Sequence, residues 1–181
     1  ISEWHKLNKK CIGVTGSNGK STVVNLIYGS LKSAGIETVL VGNIGKSPLD
    51  YLLEYEKGLL NFDLPVIELS SYQLESFTKN EYADISVITN ISPNHLDHHN
   101  NSMEEYVGAK LNIVGPSSQV VTVLDDPGIQ KYVLPKLTDF IGVSLEEIPK
   151  YLLEYIPDDS RQLKGQHNLY NIAVTLEVLR L

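Results

Sequence analysis

The run Gly13-Val-Thr-Gly-Ser-Asn-Gly-Lys-Ser-Thr22 has the residue types needed to hold a phosphate chain. Gly13, Gly16 and Gly19 let the backbone turn tightly and come close to an anion. Successive N–H groups and the start of a following helix then point at it. Lys20 adds a mobile positive charge, and Ser21 or Thr22 can place a hydroxyl on Mg²⁺. The strict pattern G-x-x-x-x-G-K-[ST] is not met, because the position it requires as glycine is Val14. The bland alternative is a chance Gly-Lys-Ser on a surface loop. An apolar run before the motif and a helical pattern after it argue against that.

Five further features could contribute chemistry. Gly42-Asn43-Ile44-Gly45 follows an apolar run and by itself is only a turn. Glu68 ends the apolar stretch of Val66-Ile-Glu-Leu-Ser-Ser-Tyr-Gln-Leu-Glu75, where a buried carboxylate needs a partner such as a hard cation. In Ile88-Thr-Asn-Ile-Ser-Pro-Asn-His-Leu-Asp-His-His99, the residues His95, Asp97, His98 and His99 have the types of a transition-metal site. Adjacent histidines converge poorly on one ion, however, and no cysteine assists. Lys110 lies beside an apolar helical stripe, where a lysine ordinarily reaches out to solvent. Asn168 and Asn171 sit one helical turn apart, and their amides can both donate to and accept from a nucleobase edge.

The elements that must position these residues are legible in the hydrophobic pattern. Residues 11–15, 38–41, 65–69, 85–89, 120–124 and 140–143 read as short, near-continuous apolar strands, which suit a sheet covered on both faces. Val23, Ile27, Leu31 and Ala34 recur at helical spacing, with Gly35 as a stop. Ser102 and Glu105 form a capping-box pattern ahead of a stripe of Met103, Val107, Leu111 and Val114. Leu169, Ile172, Ala173, Leu176 and Leu179 make a last stripe. Strand–helix alternation of this kind predicts an α/β fold, a mostly parallel sheet with helices on both faces. Ligands then bind at the carboxyl ends of the strands, so Glu68 and His95 are expected to approach one phosphate-proximal pocket from two neighbouring strand ends. Residues 144–164 read ambiguously, since Ser144 and Glu147 suggest a cap that Pro149 would interrupt. The pentapeptide Tyr-Leu-Leu-Glu-Tyr occurs at 51–55 and at 151–155 with unlike flanks, and reads as two amphipathic helices, not an internal repeat.

With 181 residues the chain suits one α/β domain. A net charge of -7 and a pI near 5.2 argue against general nucleic-acid binding, which needs clustered Lys and Arg. The single cysteine, Cys11, excludes an internal disulfide, fits a reducing cytoplasm and reads as a buried small hydrophobe. No apolar run approaches the roughly 20 residues that span a bilayer, and the first residues have no signal-peptide pattern.

Taken in order, the motifs resemble those of the Mur ligase family and its folylpolyglutamate synthase relatives. Thr15-Gly-Ser-Asn-Gly-Lys-Ser-Thr22 is similar to their shorter phosphate loop, T-G-[ST]-[ND]-G-K-[ST]-[ST], which accounts for the failed strict match. The run from Glu68 resembles E-[LV]-S-S-[FY]-Q-L-[DE] of the D-glutamate-adding branch. The run from Asn90 resembles N-[IV]-[ST]-x-D-H-L-D-x-H, with Asn94 replacing the usual Asp. Tyr106-Val-Gly-Ala-Lys-Leu resembles Y-x-x-A-K-x-x-I, and Lys164-Gly-Gln-His-Asn-Leu-Tyr-Asn-Ile-Ala173 resembles G-x-H-N-x-x-N-x-x-A.

The resemblance implies ATP held by Gly16, Ser17, Asn18, Gly19, Lys20, Ser21 and Thr22, with His167, Asn168 and Asn171 near adenine and ribose. It implies Mg²⁺ on Ser21, Glu68, His95 and a carbamylated Lys110, and a muramoyl substrate near Asn43, Ser70 and His95. Lys20, His95 and Lys110 would serve catalysis. The implied reaction is ATP-dependent amide ligation in bacterial peptidoglycan synthesis: D-glutamate joined to UDP-N-acetylmuramoyl-L-alanine through an acyl phosphate. A cytoplasmic, monomeric enzyme is expected, without nucleic-acid or membrane partners. Residues 1–181 are expected to form the central ATP-binding domain alone, without the family's N-terminal UDP-binding and C-terminal amino-acid-binding domains, and inactive by itself. Open alternatives are a ligase of the same family with another amino acid or a folate tail, a P-loop NTPase, and a nucleotide-binding module without turnover.

Overall fold

The computed structural model describes residues 1–146 and 165–181. Among the described residues six strands form one parallel sheet: β1 (Ile12–Thr15), β2 (Leu40–Gly42), β3 (Val66–Glu68), β4 (Ala83–Ile88), β5 (Val114–Val123) and β6 (Ile141–Val143), in the spatial order β2-β3-β1-β4-β5-β6. All six expected strands are present, shifted at their ends. The first strand, β1, lies in the middle of the sheet and is buried along its whole length. Its period of two sends Ile12 and Val14 to one face and Cys11 to the other.

The helices cover both faces. On the first, α2 (Lys20–Ser33) and the last helix, α6 (Gln166–Arg180), pack Val23, Ile27, Val174 and Val178 against Ile12, Val14, Val87 and Val121. On the second, Trp4 of α1 (Ser2–Lys6) and Leu74 of α4 (Ser71–Glu75) join Cys11, Phe62, Ile67 and Ile113, with Tyr51, Leu52 and Tyr55 of α3 (Pro48–Glu56) packed alongside. Tyr106 and Val107 of α5 (Met103–Leu111) pack with Ile88, Ile129 and Val133. Among the described residues no helix is long and apolar enough to cross a membrane.

Local signals account for several boundaries. Gly35, at φ +79°, donates to the Lys32 carbonyl while Ile36 N–H donates to Leu31 O, so α2 ends in a Schellman turn at the glycine the pattern marked. Ser102 caps α5 by accepting from Glu105 N–H. The reciprocal half of that box is absent, because the Glu105 carboxylate accepts from Asn100 instead. A complete capping box sits elsewhere, between Ser70 and Gln73 at the start of α4.

Three expectations need correction. The stripe assigned to α5 does not extend to Val114, which opens β5 opposite Ala83; an apolar residue suits either continuation, and the sheet pairing decides. β5 begins six residues before the expected start at 120. Its polar first half, 115–119, bulges away from β4, with Ser118 Oγ accepting from Gly115 N–H and donating to the Ala83 carbonyl. Glu68 and His95 also do not come from neighbouring strands, because β1 lies between β3 and β4. The first Tyr-Leu-Leu-Glu-Tyr lies in α3. The second, together with Glu147 and Pro149, falls outside the described residues.

Candidate functional site

The phosphate loop connects β1 to α2 at the carboxyl edge of the sheet, between the ends of β3 and β4. Gly16 has φ +144° and Gly19 φ +81°, conformations that L side chains rarely adopt. Space is closed as well: a Cβ on Gly16 would lie 2.0 Å from Thr89 Oγ1, and one on Gly19 would lie 2.6 Å from Asn171 Oδ1. The loop is tied to the β4 end by Ser17 N–H to Asn90 O (2.9 Å), Asn18 N–H to Asn90 Oδ1 (2.9 Å), and Asn90 Nδ2 and Thr89 Oγ1 to Asn18 O (2.8 and 2.7 Å). Ser17 Oγ pairs with Tyr106 OH at 2.9 Å and donates to Ser92 O at 2.8 Å. Helix α2 has no side-chain N-cap, so its first N–H groups are left to face an anion.

Lys20 turns back over this loop, donating to Gly16 O and Ser17 O at 3.0 Å each. Burial lowers its pKa from the ordinary lysine value, and the Glu68 carboxylate partly opposes that shift. Ser21 is exposed on the first turn of α2 and Thr22 is half-buried beside it. We expect Gly19→Ala to destabilise the protein by about 1–3 kcal/mol, the usual cost of a strained backbone at a non-glycine residue, and to loosen α6 through the displaced Asn171. Urea unfolding of the variant beside wild type measures this.

A pocket of about 200 Å³ opens beside the loop, lined by Lys20, Asn43, Ser70, Ser71, Tyr72, Asn94, His95, Tyr106 and Lys110. Glu68 ends β3 next to it and is 1% exposed. Its Oε1 accepts from Asn43 Nδ2 at 3.0 Å. Its Oε2 is buried and has no hydrogen-bond partner among the described residues. An unpartnered buried carboxylate oxygen is costly, and a divalent cation would satisfy it. Gly42 permits this approach, since at φ +107° a Cβ there would meet Glu68 O at 2.1 Å. Asn43 therefore holds Glu68 while facing the same pocket as Ser70.

His95 is exposed at the pocket rim with φ +52°, its ring 5.5 Å from Tyr72. Its neighbours in the sequence turn elsewhere. His98 Nε2 and His99 Nδ1 each lie 2.9 Å from the Glu75 carboxylate, and buried His99 reaches Ser71 Oγ with its other nitrogen at 3.0 Å. The four residues 95, 97, 98 and 99 thus do not converge on one ion.

Lys110 does not reach out to solvent. It is 2% exposed, donates to Gly16 O at 2.9 Å and lies over the Tyr106 ring at 4.6 Å. Burial, with the nearby Lys20 charge added, pushes its pKa down to about 7.

On the other side of the loop, a cleft of about 350 Å³ is lined by Asn18, Asn90, Asp125, Asp126, Tyr170 and Asn171 together with His167. Asn171 Nδ2 donates to Asn168 Oδ1 at 3.1 Å, so buried Asn168 supports the residue that touches Gly19. Tyr170 OH donates to Asp125 at 2.9 Å, and burial with that carboxylate raises the phenol pKa to about 12. Asp125 and Asp126 are not singled out by the sequence motifs, whereas Asn90, Tyr106 and His99 stand within them and take these particular partners only in the fold. The Asp-Asp-Pro-Gly directly after an apolar strand was the available signal for the first two.

The chain is 36% identical over 185 residues to the UDP-N-acetylmuramoylalanine–D-glutamate ligase of Bacteroides fragilis, covering 90% of this chain and 39% of that protein. It is 41% identical over 143 residues to the enzyme of the same name from Wolbachia pipientis, covering 78% of this chain and 26% of the relative. The chain thus spans well under half the length of these relatives. Among solved structures, the MurF ligase of Thermotoga maritima in complex with ADP superposes with a TM-score of 0.64 at 22% identity, over 97% of this chain and 47% of that one. A UDP-N-acetylmuramoyl-L-alanyl-D-glutamate–2,6-diaminopimelate ligase gives 0.66 at 21%, over 99% and 46%; at such identities the likeness is one of fold. The Mur ligase middle domain model matches residues 14–179, and with these relatives it shows that the chain belongs to the Mur ligase family through that domain.

Proposed function

We propose that the chain is the ATP- and magnesium-binding domain of a ligase that joins D-glutamate to UDP-N-acetylmuramoyl-L-alanine, acting in the cytoplasm as a monomer. The observation that carries this reading is the set of groups gathered around one phosphate loop: Lys20, the half-satisfied buried carboxylate of Glu68, and Lys110 with its lowered pKa. The choice of D-glutamate rests on the relatives, which are named for it.

The loop N–H groups and Lys20 hold the β- and γ-phosphates, and the cleft at His167, Tyr170 and Asn171 takes the nucleoside. Asn168 keeps Asn171 in place. Ser21, Glu68, His95 and Lys110 (as its carbamate) are the residues that would hold Mg²⁺, which when bound neutralises charge on the phosphates and the reacting carboxylate. Carbamylation requires a neutral amine attacking CO₂, with loss of one proton, and the buried Lys110 supplies such an amine near neutral pH. Asn43, Ser70 and His95 face the side from which the muramoyl carboxylate would enter. The carboxylate oxygen attacks the γ-phosphorus of ATP, the bond to the β–γ bridging oxygen breaks, and ADP leaves. The amine of D-glutamate then attacks the acyl carbon; phosphate departs, and the nitrogen loses a proton to give the amide. Transfer of this kind depends on positioning and charge, so no protein nucleophile is required.

The test uses the full-length protein. ADP release should depend on both UDP-N-acetylmuramoyl-L-alanine and D-glutamate. Release without either would point to an NTPase. Preference for another amino acid would move the protein to a different branch of the family.

A further inference from the structure

A second cluster of ligand-type side chains lies at the opposite edge of the sheet from the phosphate loop. Cys11 immediately precedes β1, and Asp84 lies near the start of the neighbouring β4. The parallel register pairs Ile12 with Ile85, which sets Cys11 and Asp84 side by side. Helix α1 brings in the third member, His5, and the adjacent Trp4 fixes that helix. Trp4 is 1% exposed and packs edge-on against Phe62, with ring centroids 6.4 Å apart. The His5 ring is further held against Tyr82, at 5.3 Å.

One ligand atom each from His5, Cys11 and Asp84 lies within 4.8 Å of the other two. Asp84 Oδ2 accepts from Cys11 N–H at 2.8 Å and lies 3.1 Å from His5 Nε2, so the carboxylate is oriented before any ion arrives. The Cys11 thiol is buried, while His5 and Asp84 remain about one quarter exposed and leave an approach from solvent.

We propose that His5, Cys11 and Asp84 form a binding site for a thiophilic divalent transition metal of the Zn²⁺ class, joining α1 to the residue before β1 and to the start of β4. The ligand set is chemically apt. Thiolate, imidazole and carboxylate are common donors to such an ion, and three of them leave a fourth tetrahedral position for water. Charge balances too: one thiolate and one carboxylate neutralise a divalent ion, so the closed site places no net charge among the apolar residues of this face. Binding releases the thiol proton, so affinity rises with pH. Hard Mg²⁺ has little claim on a thiolate, which separates this site from the one at Glu68.

The experiment is a Co²⁺ titration of the purified full-length protein under reducing, oxygen-free conditions with excess Mg²⁺. The expected result is a thiolate-to-cobalt charge-transfer band that saturates at one equivalent and is bleached by Zn²⁺. The band should vanish in Cys11→Ser, and in His5→Gln or Asp84→Asn the midpoint should rise by more than about tenfold. It should persist in Glu68→Gln. No band, or an equal band in Cys11→Ser, overturns the proposal and leaves His5–Asp84 as a plain hydrogen-bonded contact. X-ray absorption on the wild-type Zn²⁺ protein decides the matter even if a variant fails to fold. One sulfur at about 2.3 Å beside nitrogen and oxygen near 2.0–2.1 Å supports the site, and a shell of nitrogen and oxygen alone overturns it. Nucleotide binding at the far end of β1 is read separately, so failure here leaves the ligase reading intact.

Discussion

Lys20→Ala should lower ATP affinity by roughly 10²–10⁴-fold while leaving the fold in place. Each charge-assisted hydrogen bond contributes about 1.5–3 kcal/mol, and a lysine directed at two phosphate oxygens makes about two of them. Lys20 donates to the Gly16 and Ser17 carbonyls, so its amine already lies over the loop that would hold the phosphates. The fold should survive, because alanine favours the helix that position 20 opens and the neighbouring apolar contacts come from Val23, Val24 and Ile27. Calorimetry of the full-length protein with ATP and Mg²⁺ provides the measurement, and circular dichroism checks the fold. Equal affinities in variant and wild type would sink the phosphate-loop assignment.

The second large effect concerns Lys110. In the full-length protein, Lys110→Ala should reduce ligation by at least about 10²-fold, the upper range for disturbed metal environments. A short-chain carboxylic acid at high concentration should restore part of the activity by replacing the carbamate oxygens. Full activity in Lys110→Ala would reduce this residue to a packing role. A structural readout accompanies the kinetic one. Folded Lys110 titrates at about 7, against 10.5 for a lysine in the unfolded chain. Between those pH values the unfolded chain holds the extra proton, so this residue makes the protein more stable as pH rises through the window. In CO₂-free buffer, urea midpoints at pH 7 and pH 9 should differ more for wild type than for Lys110→Met. Identical pH dependence in the two would mean that the amine is not depressed by its surroundings.

The sequence by itself determined the parallel α/β class and the position of the phosphate loop. Both depend on local rules: apolar runs of strand length, glycines where φ must be positive, and a helix stripe starting at Lys20. It also determined that Glu68 ends a strand, because Val66 and Ile67 run directly into it. The short helices α1 and α4 carried no comparable signal. Each is about one turn long, too short for a 3.6-residue period to show, and each is held by tertiary packing of Trp4 or Leu74.

Strand order was not legible, since hydrophobic pattern fixes which residues face a layer and not which strands are neighbours. Only the sheet places β1 between β3 and β4, so that Glu68 and the His95 loop flank the phosphate loop from two sides. Burial of Lys110 was likewise invisible. A lysine beside an apolar stripe ordinarily extends to water, and it turns inward here because the phosphate loop, a separate element, brings Gly16 O to its amine beside the Tyr106 ring one turn back on the same helix. The same holds for His5, Cys11 and Asp84. Their separation along the chain hides them from any spacing rule, and the parallel register of β1 with β4, together with the docking of α1, sets them side by side.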